Sequence, residues 1–135
     1  MKLVFKNSDL IRPQDLPVLV LAYIGDAVYE LVVRQHLIGA GLVKVNRLHS
    51  ETVKYVNAGA QAKALHALEG MLTEEEASIV RRGRNARASV PRSAGVIEYR
   101  FSTALECLVG CLYLKGDVER LDQIMKVALA GIKED

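Results

Sequence analysis

Cysteine is scarce in this chain, and its placement excludes two common roles at once. Only Cys107 and Cys111 are present. They stand four residues apart in a stretch that reads as helix, where side chains share a face but point along it, an orientation unsuited to a disulfide. A structural zinc site would need two more ligands at matching spacing, and His36, His49 and His66 supply no such pattern. Both cysteines are expected to be buried thiols in a reducing compartment. Long hydrophobic runs are missing too. The longest, residues 16–33, is broken by Asp26 and Glu30 and is too polar for a membrane span. Residues 1–15 carry charges throughout and have no signal-peptide core. Period-two strand patterns, internal repeats and interdomain linkers are also absent. The 135 residues are thus expected to form one all-α domain, residues 1–135, cytoplasmic and without a membrane partner.

One short segment lacks acid altogether. Residues 81–92 hold Arg81, Arg82, Arg84, Arg87 and Arg92 and no aspartate or glutamate. Of the 18 lysines and arginines, the other thirteen face 16 acids, so the rest of the chain carries a balance of −3. Charge concentrated in this way on a mildly acidic body points to a polyanion, RNA or DNA first. Gly83, Asn85, Ser89, Pro91, Ser93 and Gly95 mark residues 83–96 as an exposed, mobile loop. A helix-turn-helix regulator is disfavoured, because the arginines lie in that loop and not along a recognition helix.

The helices follow from apolar spacing and caps. Residues 16–38 read as one long helix with Asp15 as N-cap, Pro17 in the first turn and Gly39 and Gly41 at its end. It is apolar nearly all round and is expected to be central and buried. Its polar exceptions Asp26, Glu30 and Arg34 recur every four residues on one stripe. Residues 44–69 read as a second helix, carrying Leu48, Val53, Val56, Ala60, Ala64 and Leu68 on its apolar face. Thr73-Glu74-Glu75-Glu76 is a capping box that starts a third, running to about Arg82. Residues 98–114 and 117–132 complete the set. Tyr23, Tyr29, Tyr99 and Tyr113 are expected between helices with hydroxyls reaching outward. His49, a lone helix histidine, is read as structural, and Asn46 and Gln61 receive no role.

Two solitary carboxylates carry the chemistry. Asp26 lies in LVLAYIGDAVYELVV and Glu106 in STALECLVGCLYL. An ionised carboxylate buried without a partner is unfavourable by several kcal/mol (order of magnitude), so each needs a cation, a donor or a cleft. The plain alternative pairs Asp26 with Arg34 and Glu106 with Arg100. However, Gly25 precedes Asp26, and Gly110 follows Glu106 by one turn on the same face. Helix glycines are unfavourable by about 1 kcal/mol each, which suggests close backbone approach. Helices crossing there could present both acids to one hard cation such as Mg²⁺, which activates water and neutralises a phosphodiester. Glu30 with Arg34 is expected to be an intrahelical pair, and Thr103 to bond its own backbone.

The run Ala22-Tyr23-Ile24-Gly25-Asp26-Ala27-Val28 resembles the ribonuclease III signature, and residues 102–110, STALECLVG, resemble that family's second acidic helix. Full-length members carry further acids where Ala22 and Thr103 stand here. The shorter Mini-ribonuclease III branch shares these departures, and RRGRNA at 81–86 and YRxSTA at 99–104 match it as well. The resemblance covers roughly residues 16–125, and no appended double-stranded-RNA-binding domain is expected. It implies a homodimeric, all-α endonuclease fold that cleaves double-stranded RNA to 5′-phosphate products. Asp26 and Glu106 carry over as catalytic residues and ligands of Mg²⁺, for which Mn²⁺ can substitute. Precursor 23S ribosomal RNA is the implied substrate, and a ribosomal protein is a candidate partner. Arg81, Arg82, Arg84, Asn85 and Arg87 are the expected RNA contacts, reading A-form shape through phosphates and 2′-hydroxyls. The alternative is a non-catalytic RNA-binding module of large-subunit ribosome assembly.

Overall fold

The computed structural model describes residues 12–86 and 95–133. Among them are six α-helices and no strand: α1 (Val18–Gly39), α2 (Val45–Val56), α3 (Ala58–Leu68), α4 (Glu74–Arg84), α5 (Val96–Lys115) and α6 (Val118–Lys133). The all-α expectation holds. None of these helices is long and apolar enough to cross a membrane.

The central element is α5, not α1. Every residue from Ser102 to Leu112 except Glu106 is buried, and α1, α3, α4 and α6 all pack on this helix. The main core joins Val28, Tyr29 and Val33 of α1 to Leu65 and Leu68 of α3, Leu105 and Leu108 of α5, and Ile124 and Met125 of α6. A second cluster, Leu21, Ile79, Cys107 and Cys111, fills the seam between α1, α4 and α5. Both thiols are free and buried there, as their spacing suggested.

Three expectations need correction. First, α1 is apolar all round, yet only one side of it meets the core; Leu19, Val20, Tyr23, Leu31 and Ile38 face outward, Tyr23 with 82% of its surface exposed. Tyr29 is the opposite case: its hydroxyl is buried and donates to the Tyr55 carbonyl at 2.8 Å instead of reaching solvent. Second, Asp15 does not cap α1. Pro13–Asp15 form a separate 3-10 turn, Asp15 pairs with Arg12 at 3.4 Å, and Pro17 occupies the N-cap. Third, residues 44–69 are two helices broken at Asn57, whose extended backbone (φ −72°, ψ 159°) turns the chain. Its side-chain amide serves both ends, donating to the Val53 carbonyl at 3.0 Å and accepting from the Ala60 amide at 2.8 Å. Asparagine is a strong N-cap, so this local bond outweighs the continuing apolar spacing.

The Thr73 capping box forms in full, with Thr73 and Glu76 exchanging backbone-to-side-chain bonds of 2.9 and 3.1 Å. Glu76 also receives Arg120 of α6 in a two-pronged contact at 2.7 and 2.8 Å, and the same guanidinium donates to the Met71 carbonyl at 2.7 Å. This pair ties the start of α4 to α6.

Candidate active site

Helices α1 and α5 cross at two glycines, and the contact admits nothing larger. A Cβ on Gly25 would sit 1.8 Å from the Glu106 carbonyl oxygen, and one on Gly110 would sit 2.0 Å from the Leu21 carbonyl oxygen. Each distance is far inside van der Waals contact, so the backbones meet only because both side chains are hydrogen. The crossing places Asp26, next along from Gly25, with its carboxyl in hydrogen-bonding reach of the Glu106 carboxyl.

The two acids sit differently. Asp26 is exposed on α1, so the burial penalty expected for it does not arise, because its side of the helix is uncovered. Glu106 is half-buried at the crossing and forms the floor of the site. Burial, and after it the hydrogen bond and negative charge of Asp26, together push its carboxyl up to about 8, while a hydrogen bond from Gln61 acts in the opposite sense. The plain alternative of an Asp26–Arg34 pair is overturned: Arg34 reaches back to Glu30 at 3.1 Å, as the spacing of those two suggested. The groups acting on Glu106 are an acid and an amide, not a guanidinium, and Arg100 points to solvent.

Gln61 is the residue that sequence reasoning missed. It is 2% exposed on α3, and its carbonyl oxygen accepts from the buried Ser102 hydroxyl, one turn before Glu106 on α5. A signal existed: a full-length polar side chain standing among alanines on a buried helix face requires partners. Thr103, by contrast, bonds the Tyr99 carbonyl at 3.1 Å, the ordinary behaviour of a helix threonine.

Three of the arginines stand at a helix end and not in a loop. Arg81, Arg82 and Arg84 form the last turn of α4, where positive charge suits the helix dipole, and Asn85 is its C-cap. Gly83 is buried within the same turn; a Cβ there would lie 2.9 Å from both the Ala104 Cα and the Cys107 Sγ. The end of α4 thus packs against α5 at these two residues. Gly95 and Val96 likewise belong to the start of α5. Residues 87–94 of the expected loop, Arg87 among them, lie outside the described residues. Arg81, Arg84 and Asn85 are exposed. Arg82 has a task inside the fold, donating to the Gln14 and Leu16 carbonyls at 3.1 and 3.4 Å.

The donor set fits a hard cation. Two carboxylates within reach of one another repel when both ionise, and a shared ion between them would remove that repulsion. Among the described residues no group of three or more His, Cys, Asp or Glu stands together. A two-carboxylate set leaves most of the shell to water and phosphate, as Mg²⁺ commonly requires.

Comparison with known proteins identifies the family and fold. The ribonuclease III domain model matches residues 19–117. A Mini-ribonuclease 3 of Symbiobacterium thermophilum is 51% identical over 88% of this chain and 92% of its own length. One from Brevibacillus brevis is 50% identical, covering 85% of this chain and 87% of that protein. A crystal structure of a Fusobacterium nucleatum protein superposes with a TM-score of 0.77 at 32% identity, over 87% of this chain and 94% of the other. The chain belongs to the ribonuclease III family.

Proposed function

We propose that this ribonuclease III domain, acting as one catalytic unit, is an endoribonuclease that cuts double-stranded RNA with Asp26 and Glu106 at its catalytic centre. The observation that carries the reading is the glycine crossing of α1 and α5, which sets one exposed and one half-buried acid side by side with no guanidinium between them. Asp26 and Glu106 hold Mg²⁺, with Mn²⁺ as substitute; the bound ion supplies activation of water and neutralisation of charge on the scissile phosphodiester. Asp26, at the rim, meets the substrate backbone first. Glu106, at the floor, is held in a drier setting where its interaction with a cation is strong. Arg81, Arg84 and Asn85 at the end of α4, together with Arg87, take the phosphates and 2′-hydroxyls of an A-form duplex beside the acids. Arg82 contributes charge there while anchoring the segment before α1.

Two active centres are needed to cut two strands, and the outward apolar face of α1 (Leu19, Val20, Tyr23, Leu31) supports a homodimer that covers it. The cellular setting we propose is the one that the resemblance in sequence implies: a cytoplasmic enzyme that matures precursor 23S ribosomal RNA, with a ribosomal protein as candidate partner. The decisive experiment incubates duplex RNA with the protein and Mg²⁺, with and without chelator, beside Asp26→Asn. Cleavage lost on chelation and lost in the variant, with duplex binding retained, supports the enzyme. Binding without cleavage under all conditions would leave the non-catalytic ribosome-assembly module.

A further inference from the structure

We infer that Gln61 is a positioning residue that holds the Glu106 carboxylate ready for its cation, with Ser102 fixing the orientation of the amide. The inference rests on the proposed metal centre and concerns how that centre is held. The geometry is a bridge. Ser102 and Glu106 stand one turn apart on the same face of α5, and Gln61 approaches from α3 to reach both. All of this lies inside the fold: Gln61 is 2% exposed and Ser102 is 7% exposed. Ala60, Ala62 and Ala64 flank Gln61 on α3 and are small enough to let that helix lie close to α5.

A primary amide has two unlike ends, and its neighbours decide which faces which. A carboxylate that holds a cation only accepts hydrogen bonds, so in the metal-bound centre the amide nitrogen faces Glu106. The carbonyl end then accepts the Ser102 hydroxyl, as observed. The reversed amide would set a carbonyl oxygen against a carboxylate, which is repulsive. Ser102 therefore acts through Gln61, and Gln61 acts on Glu106. What the amide does for a metal centre is restrict the Glu106 rotamer. Partners that hold a metal-binding side chain in this way typically change metal affinity by about 10–100-fold when removed.

The test reads Mn²⁺ binding by electron paramagnetic resonance on the intact protein without RNA, with thermal melting as a control for folding. Gln61→Met keeps the volume and removes both ends of the amide. It is expected to weaken Mn²⁺ affinity by about tenfold, with a melting temperature close to that of the unaltered protein. Ser102→Ala should weaken it less, and the double variant should bind no worse than Gln61→Met alone, because both act through one amide. A folded Gln61→Met protein with unaltered Mn²⁺ affinity overturns the inference. If Gln61→Met does not fold, Ser102→Ala decides: unaltered affinity there overturns it equally. Asp26→Asn separates the two levels. If that variant also binds Mn²⁺ normally, the metal centre itself is wrong and the inference falls with it. If it loses binding while Gln61→Met does not, only the role of Gln61 fails.

Discussion

Two glutamates of this protein sit out of bulk solvent on helices, and they differ in everything that follows. Glu76 opens α4, accepts from its own capping box and takes both prongs of Arg120, so its carboxyl is held below the ordinary glutamate range, chiefly by the Arg120 hydrogen bonds. Glu106 lies at the α1–α5 crossing beside another acid, and its carboxyl is pushed up, chiefly by burial and then by Asp26. The first acid is satisfied inside the chain and holds two helices together. The second is frustrated inside the chain and gains only from something that arrives from outside. An acid with its cation built in belongs to the scaffold, and an acid left wanting one marks the site.

Breaking the crossing should have the largest effect. Gly25→Ala puts a methyl into the Glu106 carbonyl, and because backbone cannot swing away, overpacking of about 3 kcal/mol is expected. Denaturant unfolding would measure it, and the folded fraction should cut RNA poorly because the acids are pushed apart. Breaking the scaffold pair comes next. Glu76→Gln should lower stability by about 2 kcal/mol by leaving Arg120 without its anion, while the RNA cleavage rate of folded protein stays near that of the unaltered chain. If Glu76→Gln instead abolished cleavage in a folded protein, the division between scaffold acid and site acid would be wrong.

The same contrast gives opposite responses to pH. Glu106 keeps its proton to about pH 8 when folded, against an ordinary value of 4.5. Between those values the folded state binds more protons, so stability in chelator should fall as pH rises from about 4.5 to about 8. Glu76 is shifted down, so its contribution is present above the ordinary glutamate value and disappears as pH drops through its lowered one. Thermal melts across this range should show the decline toward pH 8 in the unaltered protein and lose it in Glu106→Gln. A decline that persists in the variant would assign the frustration elsewhere. The smallest effect is local: Asn57→Ala removes a cap serving two helices and should lower stability by about 1 kcal/mol without changing cleavage.

What could be read from sequence divides along the same line. Features encoded by near neighbours were legible: the Thr73 capping box, the Glu30–Arg34 pair, the helical spacing, and the glycines one residue and one turn from the two acids. Features that depend on a distant partner were not. Nothing within ten residues of Glu76 announces Arg120, which comes from α6. Apolar residues all round α1 indicated burial, but not that one stripe would meet α5 and the other would face outward. Gln61 looked idle because its two partners lie on another helix. The Asn57 break is the instructive local failure: apolar spacing runs through it unbroken, and a single side-chain amide still outweighs that pattern.

The central claim is that the glycine crossing brings Asp26 and Glu106 together to share one cation. Crystals soaked in Mn²⁺ and measured at its absorption edge test it most directly. An anomalous peak within coordinating distance of both carboxylates, absent in Asp26→Asn, is the expected result. Saturating Mn²⁺ with no peak there, or a peak held by other residues while the two acids stay vacant, would contradict the account.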